Sequence, residues 1–290
     1  MNISKLAAVL SFALGAWFPI VSPVSADFLH IATTVSGNST YLNSPYLNNN
    51  PTRLLTVTPM WNPAGGATGV YNNHPIGVWY DTSRGRWAIF NQDGDMPVGA
   101  AFYVNDGNPS SNFIVQRATS ATVSGNSLYI DNPGSNGNPK AIIYATANWN
   151  PGGVGGVFNP HSTGVWYDTA RGKWAVFNQD GQPMPAGAAF NVLIMQSGIG
   201  TCQVVHRATT TNIVMNSTYL SSSTLPPPNG IGWWWLTANW NPYGVGGVFN
   251  NHPIGVWYDS LRRQWAIFNQ DRAPMPVGAA FNICVQGIPG

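Results

Sequence analysis

The chain contains no glutamate. Its ten acidic residues are all aspartate, it has only three lysines, and charged residues make up 8% of its 290 positions, against about a quarter in an average globular protein. Helical bundles and coiled coils draw on Glu, Lys and other strong helix formers, so they are excluded. A net charge of +2 with no basic stripe argues against nucleic acid as a partner. Only two cysteines are present, Cys202 and Cys284, with no neighbouring Cys or His in zinc spacing, so no metal site is expected. What the chain does have is Gly (32), Pro (23) and 13 Trp, with 44% hydrophobic and 12% aromatic residues. That content builds a core and rules out a disordered tail. The expected class is all-β and rich in turns.

Residues 1–26 read as a secretory signal peptide: Lys5, an apolar run over Leu6–Val21 broken by Pro19, then the small-x-small site Val24-Ser25-Ala26 before Asp27. No later run reaches the ~18 apolar residues that span a bilayer. The mature chain is expected to be extracytoplasmic, with no membrane span. Export permits a Cys202–Cys284 disulfide, which would clasp the last third of the chain and stabilise it by about 4 kcal/mol.

An internal repeat organises the rest. Residues 72–102, 159–190 and 250–281 align as three versions of NNHPIGVWYD…WAIFNQD…MPVGAAF, with Trp79, Trp166 and Trp257 at matching places. Upstream of each stands Trp-Asn-Pro, at Trp61, Trp149 and Trp240. The expected organisation is a signal peptide (1–26) and three repeat domains, 27–107, 108–198 and 199–290, strung as beads. Each is expected to be a small β-sandwich or barrel of about six strands. In the second these are Phe113–Thr119, Ser127–Ile130, Ala141–Asn148, Gly164–Asp168, Trp174–Gln179 and Ala188–Met195.

One hairpin per repeat can be registered. Placing Asp81 opposite Arg86 pairs Tyr80 with Trp87, Val78 with Ile89, and His74 with Asp93. Val78, Tyr80, Trp87 and Ile89 then face the core, while Trp79, Ala88 and Phe90 share the other side. That second aromatic face must be either covered or shown to solvent. The same register pairs His161 with Asp180 and His252 with Asp271. A carboxylate beside an imidazole orients the ring and favours its charged form, or simply pins the open end of the hairpin. Such a pair is two thirds of a hydrolase triad, but no serine recurs beside it; Ser162 occurs in the second repeat alone. Asp81 and Asp93 lie at opposite ends of one hairpin, a little over ~20 Å apart along the strands, too far for a glycosidase pair. Calcium could draw on Asn91, Gln92 and Asp93, but one Asp per cluster is thin for a cation wanting several oxygens. No catalytic residue, cofactor or metal is expected.

The candidate binding residues are therefore His74, Asp93 and Asn91; His161, Asp180 and Asn178; His252, Asp271 and Asn269; and the three Trp-Asn-Pro tryptophans, Trp61, Trp149 and Trp240. Aromatic rings with amides and carboxylates near loops suit carbohydrate; the competing role for each Trp is core. In Trp233-Trp234-Trp235, alternation puts at least one ring on each face. Trp234 there is the candidate for an exposed apolar patch.

The long motif TANWNP…GGVFNNHPIGVWYD…WAIFNQD…MPVGAAFNV resembles a domain found in secreted, mostly bacterial proteins and catalogued as a domain of unknown function. The resemblance covers all three repeats. It implies an extracytoplasmic β-rich module and no particular reaction. The first repeat departs at Pro59-Met60-Trp61 and Gly69-Val70-Tyr71, and the second has Ser162-Thr163 after its His. The expected function is a non-enzymatic, multivalent binding or adhesion protein that recognises glycans or other cell-surface material. The alternatives are a self-associating matrix or coat protein, and a secreted hydrolase or toxin.

Overall fold

The computed structural model describes residues 27–195, 204–221, 225 and 232–287. The expected signal segment, Cys202 and the boundary between the second and third repeats lie outside them. Each repeat opens with short strands: β1 (Phe28–Ile31) and β2 (Ser39–Tyr41) in the first. The strand before Trp-Asn-Pro, β3 (Leu54–Met60), comes next. The hairpin β4 (Ile76–Asp81) and β5 (Arg86–Asn91) follows, and β6 (Ala101–Gly107) closes the unit. The second repeat contributes β7 (Phe113–Arg117), β8 (Val123–Ser124), β9 (Ser127–Tyr129), β10 (Ile142–Asn148), β11 (Thr163–Asp168), β12 (Lys173–Asn178) and β13 (Ala189–Met195). The third contributes β14 (Val204–Arg207), β15 (Ile213–Val214), β16 (Ser217–Tyr219), β17 (Gly232–Asn239), β18 (Ile254–Asp259), β19 (Gln264–Asn269) and β20 (Ala280–Gly287). The six strands expected in the second repeat are present, each end within two residues of its expected place. The two-residue β8 is the addition, too short to leave a pattern.

The class is all-β, in three β-rich units. Within a repeat, β1, β6 and β3 pack face to face on β2, β5 and β4, and the core between them takes Leu55, Val57, Val78, Tyr80, Trp87, Ile89, Phe102 and Val104. The hairpin register is as read: Asp81 opposite Arg86, Tyr80 opposite Trp87 and Val78 opposite Ile89. Trp87 and Trp174 are wholly buried and donate their indole N–H to the Asn50 and Asn138 carbonyls. Each such buried ring stabilises the fold by roughly 2–3 kcal/mol.

The units are not separate beads. Each sheet is built from two repeats: β1-β6-β3-β18-β19-β16-β15, β2-β5-β4-β10-β13-β7 and β14-β20-β17-β11-β12-β9-β8. The joins are parallel, β4 with β10, β11 with β17, and β18 with β3. The last of these brings the third repeat back onto the first, so three sandwiches close into a ring with threefold pseudosymmetry. Strands β3, β10 and β17 touch one another at its centre. There Thr146 Oγ1 accepts from Val57 N–H (3.1 Å) and Thr237 Oγ1 from Ala145 N–H (3.1 Å), while Thr58 donates to the Trp234 carbonyl (2.9 Å).

The repeated motif residues make the joins. Asn150 accepts from Tyr80 N–H (2.7 Å) and donates to Tyr80 C=O (2.9 Å), as a strand residue would. Asn241 does the same to Tyr167 (2.7 and 2.9 Å), and Asn62 to Tyr258 (2.9 and 2.8 Å). The Gln of Asn-Gln-Asp is a second clamp: Gln92, Gln179 and Gln270 accept from the backbone N–H of Asn159, Asn250 and Asn72 in the neighbouring repeat (2.8, 3.0 and 2.9 Å).

The loop after Trp-Asn-Pro lies flat on its own indole. A Cβ on Gly247 would stand 2.1 Å from the Trp240 ring, which Trp166 meets edge-on. Gly247→Ala is expected to destabilise the chain by about 1–3 kcal/mol through overpacking. Thermal denaturation would read this as a lower melting temperature, and an unchanged one would refute it.

Candidate functional site

The structure sorts the candidate residues into two places. The first is the centre of the ring. His74, His161 and His252 line one narrow funnel, with Pro75, Ser162 and Pro253 beside them and Thr146 and Thr237 deeper in. Each ring is held by the aspartate that the hairpin register places opposite it: Nδ1 of His74 on Asp93 (2.7 Å), of His161 on Asp180 (2.6 Å) and of His252 on Asp271 (2.5 Å). The hairpin sets this pairing because Asn91, Asn178 and Asn269 end their strands one residue before the Gln clamp and two before the Asp. Among the described residues no hydroxyl bonds the second nitrogen of these rings, so the nucleophile–base contact of a triad is missing. Nor do any three His, Cys or Asp there stand close enough to hold a metal ion.

Asn91, Asn178 and Asn269 do not face this funnel. They are fully buried. Asn72, Asn159 and Asn250 each donate to them at 2.8 Å, and Asn91 donates on to the Asp95 carbonyl. They hold the loop before the His and the turn after the Asp, so they are correctly placed as neighbours but have nothing left for a ligand.

Two further histidines drew no attention in the sequence. His206 bonds Thr218 (2.7 Å) and His30 bonds Thr40 (2.8 Å), and burial pushes both imidazoles down to about 4. They are neutral structural groups at neutral pH. At the hairpin turn, burial pushes the Asp81 carboxyl up, but hydrogen bonds from Ser83, Arg84 and Tyr41 outweigh it and hold it well below the usual carboxylate range. Arg84 is folded back on the Tyr41 ring, Arg171 on Tyr129 and Arg262 on Tyr219, at 4.6–4.9 Å. These arginines close the turn around its aspartate (2.8, 2.7 and 3.3 Å).

The second place is the set of joins between repeats. The second aromatic face of each hairpin, left open by the sequence, is where the next repeat's Trp-Asn-Pro tryptophan lands. Trp79 meets Trp149 edge-on (6.2 Å, 85°), Trp166 meets Trp240 (6.1 Å, 89°) and Trp257 meets Trp61 (5.9 Å, 89°). A further ring packs beside each pair: Phe158 on Phe90, Phe249 on Phe177 and Tyr71 on Phe268. Trp79, Trp166 and Trp257 donate their indole N–H to Ser39, Ser127 and Ser217 (3.1–3.2 Å). The result is a cleft walled by four rings, with a serine and an asparagine at its side. Asn38 and Ser39 line the first, and Asn216 and Ser217 the third. Trp61, Trp149 and Trp240 are half-buried here, apart from the funnel; no residue lines both places.

Trp234 does not form an exposed patch. It is 0% exposed, 4.4 Å from Trp265 and stacked with Tyr103 of the first repeat. Alternation along β17 turns it into the core, and Trp235 beside it is half-buried against Tyr144. The outer cleft rings Phe158, Phe249 and Tyr71 were missed in the sequence. Their signal was an aromatic residue immediately before a buried Asn (Asn72, Asn159 and Asn250) in all three repeats.

No helix among the described residues is long and apolar enough to cross a membrane. No curated protein and no solved structure was found to match this chain. One family model does match, three times in tandem, over residues 11–95, 78–194 and 164–285. Those spans take in every strand described above but the last two residues of β20, and the chain accordingly belongs to the family described as a domain of unknown function (DUF7452).

Proposed function

We propose that this chain is a secreted, non-enzymatic binding protein whose three aromatic clefts each seat a sugar ring. One observation carries the reading. The same four rings meet at every join, and at the first two the outer ring is left half in water: Phe158 is 49% exposed and Phe249 53%. Aromatic faces take the C–H side of a pyranose, while the neighbouring Ser and Asn meet its hydroxyls. Three clefts fixed on one rigid ring multiply a weak affinity against a surface of repeated glycans. Export through residues 1–26 and a Cys202–Cys284 bridge belong to the same reading.

A glycan array with the mature protein tests it, alongside the triple variant Tyr71→Ala/Phe158→Ala/Phe249→Ala. The wild type should bind and the triple variant should lose at least tenfold in avidity, with a melting temperature within a few degrees. Binding that survives the triple variant would refute the cleft as the site. The second reading, self-association as a matrix or coat protein, draws on the exposed loop residues Val154 and Val245 and the low charge. It would win if no glycan bound and light scattering showed concentration-dependent assembly.

A further inference from the structure

The three clefts differ in chemistry. Among the described residues, four of the five non-glycine positions with positive φ lie in the third repeat; of these Met215 lines the cleft between repeats 3 and 1, and Arg272 stacks on its outer ring. Met215 lines it with φ 55°, where the sister repeats have Gly37 and Gly125 at φ 56° and 59°. Arg272 has φ 66°, where the second repeat has Gly181 at φ 79°. A left-handed backbone strains an L side chain. Such strain persists where the surroundings enforce it and is frequent at functional sites. The outer ring of this cleft is Tyr71, where the other two have phenylalanine. The Arg272 guanidinium lies 4.5 Å over that ring. Unlike Arg84, Arg171 and Arg262, it has no carboxylate partner among the described residues. Its chain neighbour Asp271 is taken up by His252.

We propose that this cleft is the acidic-sugar site of the protein: it takes a uronic-acid unit, ring against the aromatic wall and carboxylate on the edge of Arg272. The inference rests on the sugar-binding reading above. An arginine stacked on an aromatic face keeps its in-plane N–H groups free, and their fork matches a carboxylate. The first two clefts have no arginine at that place, with Gly94 and Gly181 there instead, and are left for neutral units. Met215, 82% exposed, widens the apolar rim.

The experiment is calorimetric titration of the intact protein with uronic-acid oligosaccharides of two epimeric series, and with their carboxyl-reduced, neutral forms. At least one acidic series should bind tenfold or more tighter than its neutral form, near one per chain, and weaken with salt. Arg272→Gly, which restores the residue of the second repeat, should erase that preference, while neutral binding at the first two clefts, which Arg272 does not touch, persists. The neutral titration also reports that the variant is folded, and Arg272→Gln provides a second loss of charge. Equal binding of acidic and neutral forms by the wild type, or a preference that persists in both variants, would overturn the acidic-site proposal and leave the sugar-binding reading standing. Binding of neither form would overturn both.

Discussion

Asn150→Ala is expected to destabilise the whole protein by about 2–4 kcal/mol, although it removes a small polar side chain from a turn. Asn150 is buried, and its amide is bonded at both ends to Tyr80, 70 residues earlier, as acceptor from N–H and donor to C=O. Alanine leaves both backbone groups unpaired where water has little access. Each buried, unsatisfied group costs about 1–3 kcal/mol. Asp is no substitute, because it cannot donate and would bury a charge. Guanidinium denaturation should show the midpoint fall with an unchanged slope, and the melting temperature should drop by about 5–15 °C. Asn62→Ala should behave alike, since Asn62 makes the same pair of bonds with Tyr258 across the join that closes the ring. A loss below about 1 kcal/mol at either site would mean that water replaces the amide and that the clamp is incidental.

The second large effect concerns autonomy. A fragment spanning the second repeat, residues 108–198, is expected to assemble as a trimer instead of standing as a folded monomer. Cut from the chain, β10 loses β4 and β11 loses β17. Asn150 and Gln179 lose their bonds to Tyr80 and Asn250. The apolar face that meets β3 and β17 is bared. Those two edges are complementary to each other, a heterologous contact that closes after three copies if it keeps the rotation of the intact ring. Sedimentation should show a trimer that dissociates on dilution with loss of β structure. A stable monomer with its own cooperative unfolding transition would overturn this, and would make the ring a weak association of independent sandwiches.

Much of the site's local geometry was legible in the sequence, and its location was not. The His–Asp pairs followed from the hairpin register, because two strands joined by a four-residue loop leave one alignment that buries Val78, Tyr80, Trp87 and Ile89 together. That these pairs converge on one funnel was not legible, since residues 74, 161 and 252 meet only after the ring closes. The Trp-Asn-Pro asparagines showed their recurrence but not their purpose, because their partners are backbone groups of another repeat and leave no mark on side-chain pattern. Trp234 was misread for a related reason. Period-2 alternation says that neighbouring tryptophans face opposite ways, but not which face meets the core.

The absence of glutamate, the triple repeat, the turn-rich strands and the Asp81-type turns determined by themselves an all-β protein of three small units, sandwich or barrel. Such features act over a few residues, where strand alternation and turn chemistry are decisive. Ring closure, the sharing of each sheet between two repeats, and the choice of which aromatic rings stay in water belong to the tertiary structure. Parallel pairing of strands 70 or more residues apart carries no local signal. It is decided by the second aromatic face of each hairpin, whose burial only the neighbouring repeat can complete.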